Sequence, residues 1–541
     1  MKKRTQRIAS VFAAVFVVIA LVLLLAPPTH QTDEAAPVPI TFSFYNADGI
    51  EDNWNDPVAQ QITQRTGVTL QVEFPSGSTD RIDLMIATGE YPDLIFAKGD
   101  AGKLIENHAL LDLTPLIDQY GPHIKALYGD HYEELKDQNG AIWQLCSGKV
   151  DDIVLDTAGS AQLQWAVLKE HDFQIPYTLE RYAQMIRDYM AAHPTIDGKP
   201  TIGLSIVCTD WHWYITLSNP SGYIASGAPD NGQWIVENGS ASYKHAASGQ
   251  KEFYRWLNRM YAEGILDSEF ATQTHEDYIE KITQGRVLGL LDSGWGYAEA
   301  ERALRLAGEE ERTYAGLPVT MNEDIPCSML MQRKLTIGTG IAISASCKDP
   351  VRAIQFLDWM CTDEAQVLVN WGIEGINYTM ENGKRIRTQA DLLDSLTATD
   401  YAERTGVGFH VYPFPSRGNC SVDETGNFIS HENREEIIGA YTPIEEEALS
   451  AWNVEMLIEI FPQADTFSPE KWPPLWSLQL PSELDTLLER LDAVALPGLI
   501  DCIVCEPASF DHRWEQLQAD LRDAGLEDAN RLMNEYLSNG Q

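Results

Sequence analysis

The sequence predicts an α/β protein with more than one domain, and three observations carry this prediction. The chain has 541 residues, more than one ordinary domain contains. Apolar residues make up 44% of it and charged residues 22%, so a packed core is expected. Beyond the N-terminal segment, stretches with the period of a strand alternate with stretches with the period of a helix, as in doubly wound α/β folds.

The first strands and helices of the body have the clearest patterns. Residues 40–47 (ITFSFYNA) and 68–75 (VTLQVEFP) alternate apolar and polar side chains, which is typical of strands. Between them, Asp56 and the following proline predict a helix start, and Gly67 predicts its end. A second helix is predicted over residues 80–88, and the stretch DLIFA predicts a third strand. This βαβαβ order predicts parallel strands.

Helical periodicity dominates the middle and the end of the chain. Apolar residues recur at helical spacing in LQWAVLKEH, TLERYAQMIRDYMAAH and KEFYRWLNRMYAEG. A strand is predicted at residues 337–345 (IGTGIAISA), and Asp349 with the following proline predicts the start of another helix. The closing stretch FDHRWEQLQADLRDAGLEDANRLMNEYL predicts a helical C-terminal region.

The N-terminus has the pattern of an export segment. Four basic residues within the first seven positions precede an apolar run over residues 8–26. We therefore predict that residues 1–26 are a signal peptide or a membrane anchor, with residues 27–39 as a tether. No lipobox cysteine follows the run, because the first cysteine is Cys146. A cleaved signal and an uncleaved anchor stay open, and both place the body at the extracellular face of the cytoplasmic membrane.

Charge and motif content exclude several classes of function. The chain has 39 Lys and Arg against 80 Asp and Glu, so we expect no binding to nucleic acid. Cys502 and Cys505 form a C-x-x-C pair without a second ligand pair, and the histidines show no metal-binding spacing. No nucleophile elbow and no phosphate-binding loop is present in the sequence. We predict no catalytic residues, no metal and no cofactor.

Several stretches, taken in order, resemble a known family. They include GVTLQVEF, RIDLMIATGEYPDLIFA, LIENHALLDLTPLIDQYGPHI, GRVLGLLDSGW and DPVRAIQFLDWMCTDEAQVLVNWGIEGINYTMENGK. The set is similar to extracellular solute-binding proteins of bacterial ABC importers. Within these, it resembles the long subgroup of the carbohydrate-binding family, which includes alginate-oligosaccharide-binding proteins and Gram-positive lipoproteins.

The resemblance implies a two-lobed, periplasmic-binding-protein-like fold of type II, in which a ligand is held between the lobes. It implies that lobe 1 comprises residues 40–150 plus 338–372, and that lobe 2 comprises 151–337 plus 373–541. The implied function is capture of an oligosaccharide and its delivery to the membrane subunits of an ABC permease, by a monomer without enzymatic activity. Alginate-binding relatives carry a calcium loop; the corresponding stretch here, HPTIDGKPTIG, has Asp197 as its only carboxylate, so no calcium is expected.

Sugar binding calls for aromatic platforms and for side chains that form hydrogen bonds with hydroxyl groups. Trp54 follows the first strand, where α/β sheets place ligands. Trp295 follows the apolar stretch VLGLLDSG, and the resemblance matches it to a stacking tryptophan of the alginate-binding relatives. The other candidate ligand-binding residues lie in predicted loops or near the last crossing between lobes: Asp292, Trp211, Trp213, Trp371, Tyr378, Tyr412 and Arg417.

Two other functions fit the same sequence. A secreted glycoside hydrolase would need two carboxylates at a defined separation across a cleft, and the sequence singles out no such pair. The same fold could also bind a peptide or another polar solute, since clefts rich in tryptophan accept these as well.

Overall fold

The computed structural model describes residues 38–49, 52–75, 81–157 and 159–539. The predicted signal peptide or anchor (1–26), and the tether up to residue 37, lie outside these residues. Within the described ranges, no helix has both the length and the apolar character needed to cross a membrane.

The strands form two principal sheets and several short pairs. The first sheet has the order β2-β1-β3-β14-β4 and the second has the order β13-β6-β12-β9, once the strands are numbered along the described chain. They are β1 (Ile40–Asn46), β2 (Val68–Glu73), β3 (Leu94–Phe96), β4 (Leu145–Cys146), β5 (Lys149–Val150), β6 (Ala161–Gln164), β7 (Thr195–Ile196), β8 (Lys199–Pro200), β9 (Ile202–Ser205), β10 (Trp234–Glu237), β11 (Ser240–Tyr243), β12 (Val287–Leu291), β13 (Tyr314–Leu317), β14 (Gly340–Ile343), β15 (Tyr378–Glu381), β16 (Lys384–Arg387) and β17 (Ser416–Arg417).

Helices cover both sheets and form the C-terminal region. In chain order they are α1 (Pro57–Thr66), α2 (Arg81–Thr88), α3 (Ala101–Glu106), α4 (Thr114–Tyr120), α5 (Pro122–Tyr128), α6 (Trp165–Glu170), α7 (Leu179–Ala192), α8 (Asn219–Ser226), α9 (Gln250–Ala262), α10 (His275–Thr283), α11 (Gly294–Leu306), α12 (Pro350–Met360), α13 (Asp363–Trp371), α14 (Gln389–Thr397), α15 (Tyr401–Thr405), α16 (Arg434–Gly439), α17 (Pro443–Trp452), α18 (Ser482–Val504), α19 (Phe510–Ala524) and α20 (Leu526–Asn539).

The first sheet confirms the predicted parallel βαβαβ unit. β1 pairs in parallel with β2 on one side and with β3 on the other. The connecting helix α1 has the predicted ends: the Asp56 carboxylate accepts the Ala59 N–H at 2.9 Å, and Gly67 closes the helix with a φ of 72°. Glycine suits that left-handed conformation because it has no Cβ. Local capping chemistry therefore fixes both ends of α1 and the start of β2.

The chain returns to the first sheet after building the second one. β14 lies between β3 and β4 and runs antiparallel to both. Gly340 begins β14, and a Cβ there would lie 2.1 Å from the Leu145 carbonyl oxygen, so only glycine allows this close approach. The predicted strand at residues 337–345 is thus confirmed, and it joins the two sheets through one continuous chain.

The second sheet corrects one predicted helix. In LQWAVLKEH, Leu163 and Gln164 belong to β6, and the helix begins only at Trp165. β6 is fully buried and pairs antiparallel with both β12 and β13, so its apolar side chains lie in the core of the second sheet. A short apolar run fits either period, and here tertiary pairing decides between them.

The three C-terminal helices complete the core of the second sheet. α18 packs against α9 and α19, and Leu491 of α18 is fully buried there. The next residue, Asp492, accepts hydrogen bonds from the hydroxyl groups of Tyr243 at 2.5 Å and Tyr214 at 2.7 Å. The predicted helical C-terminal region is therefore part of the second core.

One segment of the predicted lobe 2 packs against the first sheet. Val407 and Phe414 lie in the core of the first sheet, with Phe44 and Phe356 as ring partners of Phe414. The prediction gave residues 373–541 to lobe 2. The resemblance implied that lobe 1 ends at residue 372, whereas apolar burial brings Val407 and Phe414 back against the first sheet.

Because α18 fills the second core, we expect Leu491→Ala to lower the free energy of unfolding by about 2–5 kcal/mol. Urea unfolding followed by tryptophan fluorescence would measure the change. Arg490→Ala on the exposed face of α18 is the matched control, with an expected change within about 0.5 kcal/mol. Equal effects of the two substitutions would contradict the placement of α18 in the core.

Candidate ligand-binding site

Parallel pairing in the second sheet brings two exposed tryptophans together. β9 and β12 run parallel, so the segments after them leave the sheet at the same edge. Trp211 follows β9, and Trp295 follows β12 in the first turn of α11. Their rings are nearly parallel, at 20°, with centroids 5.9 Å apart, and the residues are 53% and 60% exposed. We call this pair the tryptophan platform.

Two histidines extend the platform into a column of four aromatic rings. The His212 ring stacks on Trp211 at 3.9 Å, and the His275 ring stacks on His212 at 4.0 Å with an angle of 8°. A ring nitrogen of His275 lies 3.2 Å from the Gly296 carbonyl oxygen, next to Trp295. The aromatic column consists of Trp295, Trp211, His212 and His275. Neither histidine stands out in the sequence, because the two lie on separate elements without a paired spacing.

Asp292 supports the platform from within the protein. Its carboxylate is buried, and it accepts the Tyr278 hydroxyl at 3.0 Å and the Ser293 N–H at 2.7 Å. Burial raises the pKa of this carboxyl group to about 6. A Cβ on Gly296 would approach a carboxylate oxygen to 2.7 Å, which explains the glycine. The structure thus places Asp292 beneath the turn, whereas we expected it to face sugar hydroxyls.

Two predicted platform residues are buried instead. Trp54 donates its indole N–H to the Thr63 hydroxyl at 3.1 Å, and its ring packs against His410 with centroids 4.7 Å apart. Trp213 packs against Tyr214 in the second core. Both side chains are nearly inaccessible to solvent, whereas we predicted that they contact a ligand. Their loops fold back onto helices, and burial of the large indole ring is more favourable than exposure.

Near the last crossing, Trp371 and Tyr378 flank one cation. The Arg385 guanidinium lies 5.4 Å from the centre of each ring. Trp371 is buried and donates its indole N–H to the Phe428 carbonyl oxygen at 3.1 Å. The arrangement is a cation–π cluster that joins β15 and β16 to α13. Trp371 and Tyr378, both predicted to contact a ligand, are therefore engaged in contacts within the protein.

The first sheet has a polar group at the carboxyl ends of its parallel strands. Tyr412 is 43% exposed and meets Phe96, the last residue of β3, edge to face at 5.2 Å. Its hydroxyl donates to Asp48 at 3.1 Å, and Asp48 accepts from the Lys98 ammonium at 2.7 Å. Burial and the Asp48 charge raise the pKa of Tyr412. We call Tyr412, Asp48 and Lys98 the polar triad; sequence analysis identified only Tyr412.

Arg417 forms an ion pair within the protein, and the stretch that we expected to bind no calcium forms the turn of a hairpin. Arg417 forms an ion pair with Asp363 at 2.9 Å, so its charge is balanced away from the platform. Asp197 and Gly198 form the turn of the β7–β8 hairpin, both with positive φ. In the part of the chain that the structure describes, no cluster of three or more His, Cys, Asp or Glu residues is arranged to hold a metal ion. The eight cysteines are free thiols.

Two α/β sheets with separate cores, linked by a returning chain, define a two-lobed protein with a periplasmic-binding-protein-like fold. Residues 58–372 match the family model of bacterial extracellular solute-binding proteins, and the chain belongs to this family.

Relatives of known sequence share part of the chain. Lipoprotein LipO of Bacillus subtilis is 23% identical over 348 residues, which are 60% of this chain and 65% of LipO. An uncharacterized protein of Niallia circulans is 24% identical over 30% of this chain and 62% of its own length. The chain therefore spans somewhat less than two thirds of the relatives it matches.

Solved structures share the fold over almost the whole chain. The alginate-binding protein AlgQ2, solved without calcium ion, has a TM-score of 0.66 at 18% identity, covering 93% of this chain and 98% of its own. An HMO-binding solute-binding protein of Bifidobacterium longum infantis has a TM-score of 0.67 at 13% identity, covering 93% and 99%. FusA of S. pneumoniae in complex with kestose has a TM-score of 0.64 at 16% identity, covering 92% and 99%. These similarities show the two-lobed fold.

The raised pKa of Asp292 gives a pH-dependent stability. The folded protein holds this proton up to a pH of about 6, whereas the unfolded chain releases it near 4, so the group destabilises the fold increasingly as pH rises between these values. We expect Asp292→Asn to remove this cost and so to raise the free energy of unfolding above pH 6. A pKa difference of about two units corresponds to a gain on the order of 3 kcal/mol. Urea unfolding at a series of pH values would measure it.

The control for this experiment is Asp197→Asn, an exposed change in the Asp-Gly turn of the same lobe. Because either residue suits that turn, this substitution should change the free energy of unfolding by no more than about 0.5 kcal/mol. A difference between Asp292→Asn and the unsubstituted protein that does not change with pH would contradict the raised pKa of Asp292.

Proposed function

We propose that the protein is the extracellular substrate-binding component of an ABC importer and that it captures an oligosaccharide between its two lobes. The tryptophan platform is the observation that carries this proposal. Two large apolar rings exposed side by side cost free energy unless a ligand covers them. The C–H faces of a sugar ring fit such a surface, and they leave its hydroxyl groups free to bond elsewhere.

The polar triad provides the complementary chemistry from the other sheet. Tyr412, Asp48 and Lys98 together offer hydroxyl, carboxylate and ammonium groups at an exposed position. Such groups donate to and accept from sugar hydroxyls. The platform and the triad both follow the carboxyl ends of parallel strands, which is where α/β sheets bind ligands. We propose that they form opposite walls of one cleft.

The ligands of proteins with a similar fold support the proposal that the ligand is a carbohydrate. AlgQ2 is an alginate-binding protein, FusA has been solved with kestose, and NgtS of Streptococcus pneumoniae with Man1GlcNAc. These sugars differ in charge and linkage, so they define the class of ligand and not its identity. Both neutral and acidic oligosaccharides therefore belong in a binding test.

The proposal includes the partners and the place of action. We propose that a monomer delivers its ligand to the permease subunits at the outer face of the cytoplasmic membrane. The N-terminal segment either anchors the protein there or is cleaved as a signal peptide. We also propose that lobe 1 extends beyond residue 372 to include Val407, Phe414 and β17, which pairs with β5. The remaining lobe boundaries stay as predicted.

No observation at the platform favours the hydrolase alternative. Asp210 is bound to His212 with 2.6 Å between carboxylate oxygen and ring nitrogen, and Asp292 is buried beneath the turn. Hydrolysis of a glycoside needs two carboxyl groups that both reach the scissile bond. We therefore propose binding without turnover.

A panel of oligosaccharides tests binding and turnover together. The purified full-length protein would be heated with kestose, alginate oligosaccharides, Man1GlcNAc and a short peptide, and new reducing ends would be measured in the same samples. A ligand at about 100 times its dissociation constant stabilises the fold by about 2.7 kcal/mol. Stabilisation by a sugar without new reducing ends supports the proposal. Sugar hydrolysis, or stabilisation by the peptide alone, contradicts it.

We expect Trp295→Ala to weaken oligosaccharide binding about tenfold or more, because it removes the more exposed ring of the platform. Isothermal titration with the sugar that the panel selects would measure the dissociation constant. Trp476→Ala is the matched control, since Trp476 is also an exposed tryptophan but lies outside the platform. Equal dissociation constants for the Trp295 variant and the unsubstituted protein would remove this residue from the site.

The role of the first sheet is tested by Tyr412→Ala. We expect about a fivefold weaker affinity, as for loss of one or two hydrogen bonds to a ligand. Tyr177→Ala, which removes an exposed tyrosine of the second lobe, serves as the control. If both variants bind as tightly as the unsubstituted protein, the polar triad does not form a wall of the cleft.

A further inference from the structure

Tyr412 of the polar triad lies on a segment that reaches the first sheet late in the sequence. This segment follows α15 and comprises residues 406–414, and we call it the strap. Phe414 anchors one end of it, since its ring packs against two phenylalanine rings in the core of the first sheet, with centroids 6.1 and 6.0 Å away. His410, four residues earlier, is also buried. The exposed Tyr412 therefore lies midway between two buried side chains.

His410 occupies a pocket at the start of α1. Its ring nitrogen Nε2 lies 2.7 Å from the Asp56 carboxylate, and the two side chains are only 2% and 5% exposed. The Trp54 ring packs against the imidazole with centroids 4.7 Å apart. The backbone of Trp54 has a φ of 50°, a left-handed conformation that a bulky residue adopts only where its surroundings hold it. The turn before α1 therefore builds a specific pocket for His410.

The contact between His410 and Asp56 has a defined donor. Burial alone would raise the pKa of Asp56, but its contact with His410, together with the Ala59 N–H, outweighs burial and lowers the pKa. The carboxylate is therefore ionised at neutral pH and only accepts, so the imidazole N–H donates. Gly406 of the strap lies against the same carboxylate, because a Cβ at this position would overlap it. The strap is thus fitted closely to the start of α1.

We propose that His410 is a positioning residue for ligand binding: its hydrogen bond to Asp56 fixes the strap so that Tyr412 lies at the carboxyl end of β3. The inference rests on the proposed function for its consequence, which is weaker sugar binding when that bond is lost. The orientation of Tyr412 is a property of the protein alone, so it can be tested without a ligand.

The contacts of Tyr412 itself are too weak to fix its position. Its hydroxyl bond to Asp48 is exposed, and water competes for both groups of an exposed hydrogen bond. Its edge-to-face contact with Phe96 covers only part of the side chain, since the residue remains 43% exposed. Val411, the preceding residue, packs only partly against the core of the first sheet. The buried hydrogen bond two residues before Tyr412 is directional and shielded from water, so it determines how the strap lies.

The position of Tyr412 can be observed without any ligand. The full-length protein would be labelled with 3-fluorotyrosine and studied by fluorine NMR at neutral pH, and Tyr412→Phe would assign the resonance. In the unsubstituted protein we expect one resonance, displaced from that of free 3-fluorotyrosine by the nearby Phe96 ring. Release of the strap should move this resonance towards that of the free amino acid, because the contact between the rings is lost.

Two variants release the strap from opposite sides of the hydrogen bond. His410→Phe keeps a ring against Trp54 but has no N–H to donate. Asp56→Ser keeps an N-cap for α1, but its side chain is too short to reach His410. We expect the Tyr412 resonance to move in both variants, and either one decides the question if the other does not fold.

Two controls separate positioning from a general loss of stability. His410→Gln retains an N–H where Nε2 lies, so the Tyr412 resonance should stay in place. Ile117→Val removes a methylene group from the core of the first sheet, which should lower the free energy of unfolding without moving the resonance. A resonance that stays in place in either folded release variant, or that moves as far in His410→Gln or Ile117→Val, overturns the proposal.

Binding tests whether His410 acts through Tyr412. For the sugar that the panel selects, His410→Phe should weaken the affinity about threefold to fivefold, which is no more than Tyr412→Ala does. In the Tyr412→Ala background the same substitution should change the affinity less than about twofold, since the side chain that it positions is absent. Losses that multiply in the double variant overturn the inference, because His410 then acts independently. If no sugar in the panel binds, the proposed function fails, while the NMR comparison still decides what holds Tyr412 in position.

Discussion

The architecture depends on the return of the chain into the first sheet at β14. Its hydrogen bonds to β3 and β4 unite residues that flank the whole second sheet, so the first sheet is completed only by a segment that follows the second sheet in sequence. The close approach at Gly340 makes this return sterically specific. A chain that crosses between two lobes and returns connects them by more than one strand, which is the connectivity found in proteins that close by a hinge motion.

The two walls proposed for the cleft differ in their physical character. The second lobe presents aromatic rings whose orientation is set by stacking, with Trp211 and Trp295 nearly parallel. The first lobe presents charged and hydroxyl groups that already bond to one another, as Tyr412 does with Asp48. An apolar wall gains from displacement of water, whereas a polar wall must exchange one set of hydrogen bonds for another. In the proposed cleft, affinity and specificity for a sugar would therefore come from different lobes.

Much of the fold could be predicted from the sequence because local signals determine it. Asp56 and Gly67 fix one helix, and alternation fixes the strands on either side. Tertiary pairing decided the rest: it made Leu163 part of a strand and buried the tryptophans at 54 and 213. The stacking of His212 on His275 could not be predicted, because it brings together the segment after β9 and the first residue of α10, which no local pattern in the sequence links.

The interleaved connectivity also governs when each part of the protein can become stable during synthesis. The first sheet lacks an interior strand until residue 343 has emerged, and the second core lacks buried side chains as late as Leu537. Contacts between residues so far apart in sequence form slowly, because their loops must close first. A nascent chain of this kind stays incompletely folded until nearly all of it is available. Such a state suits passage through a narrow export channel before folding on the far side.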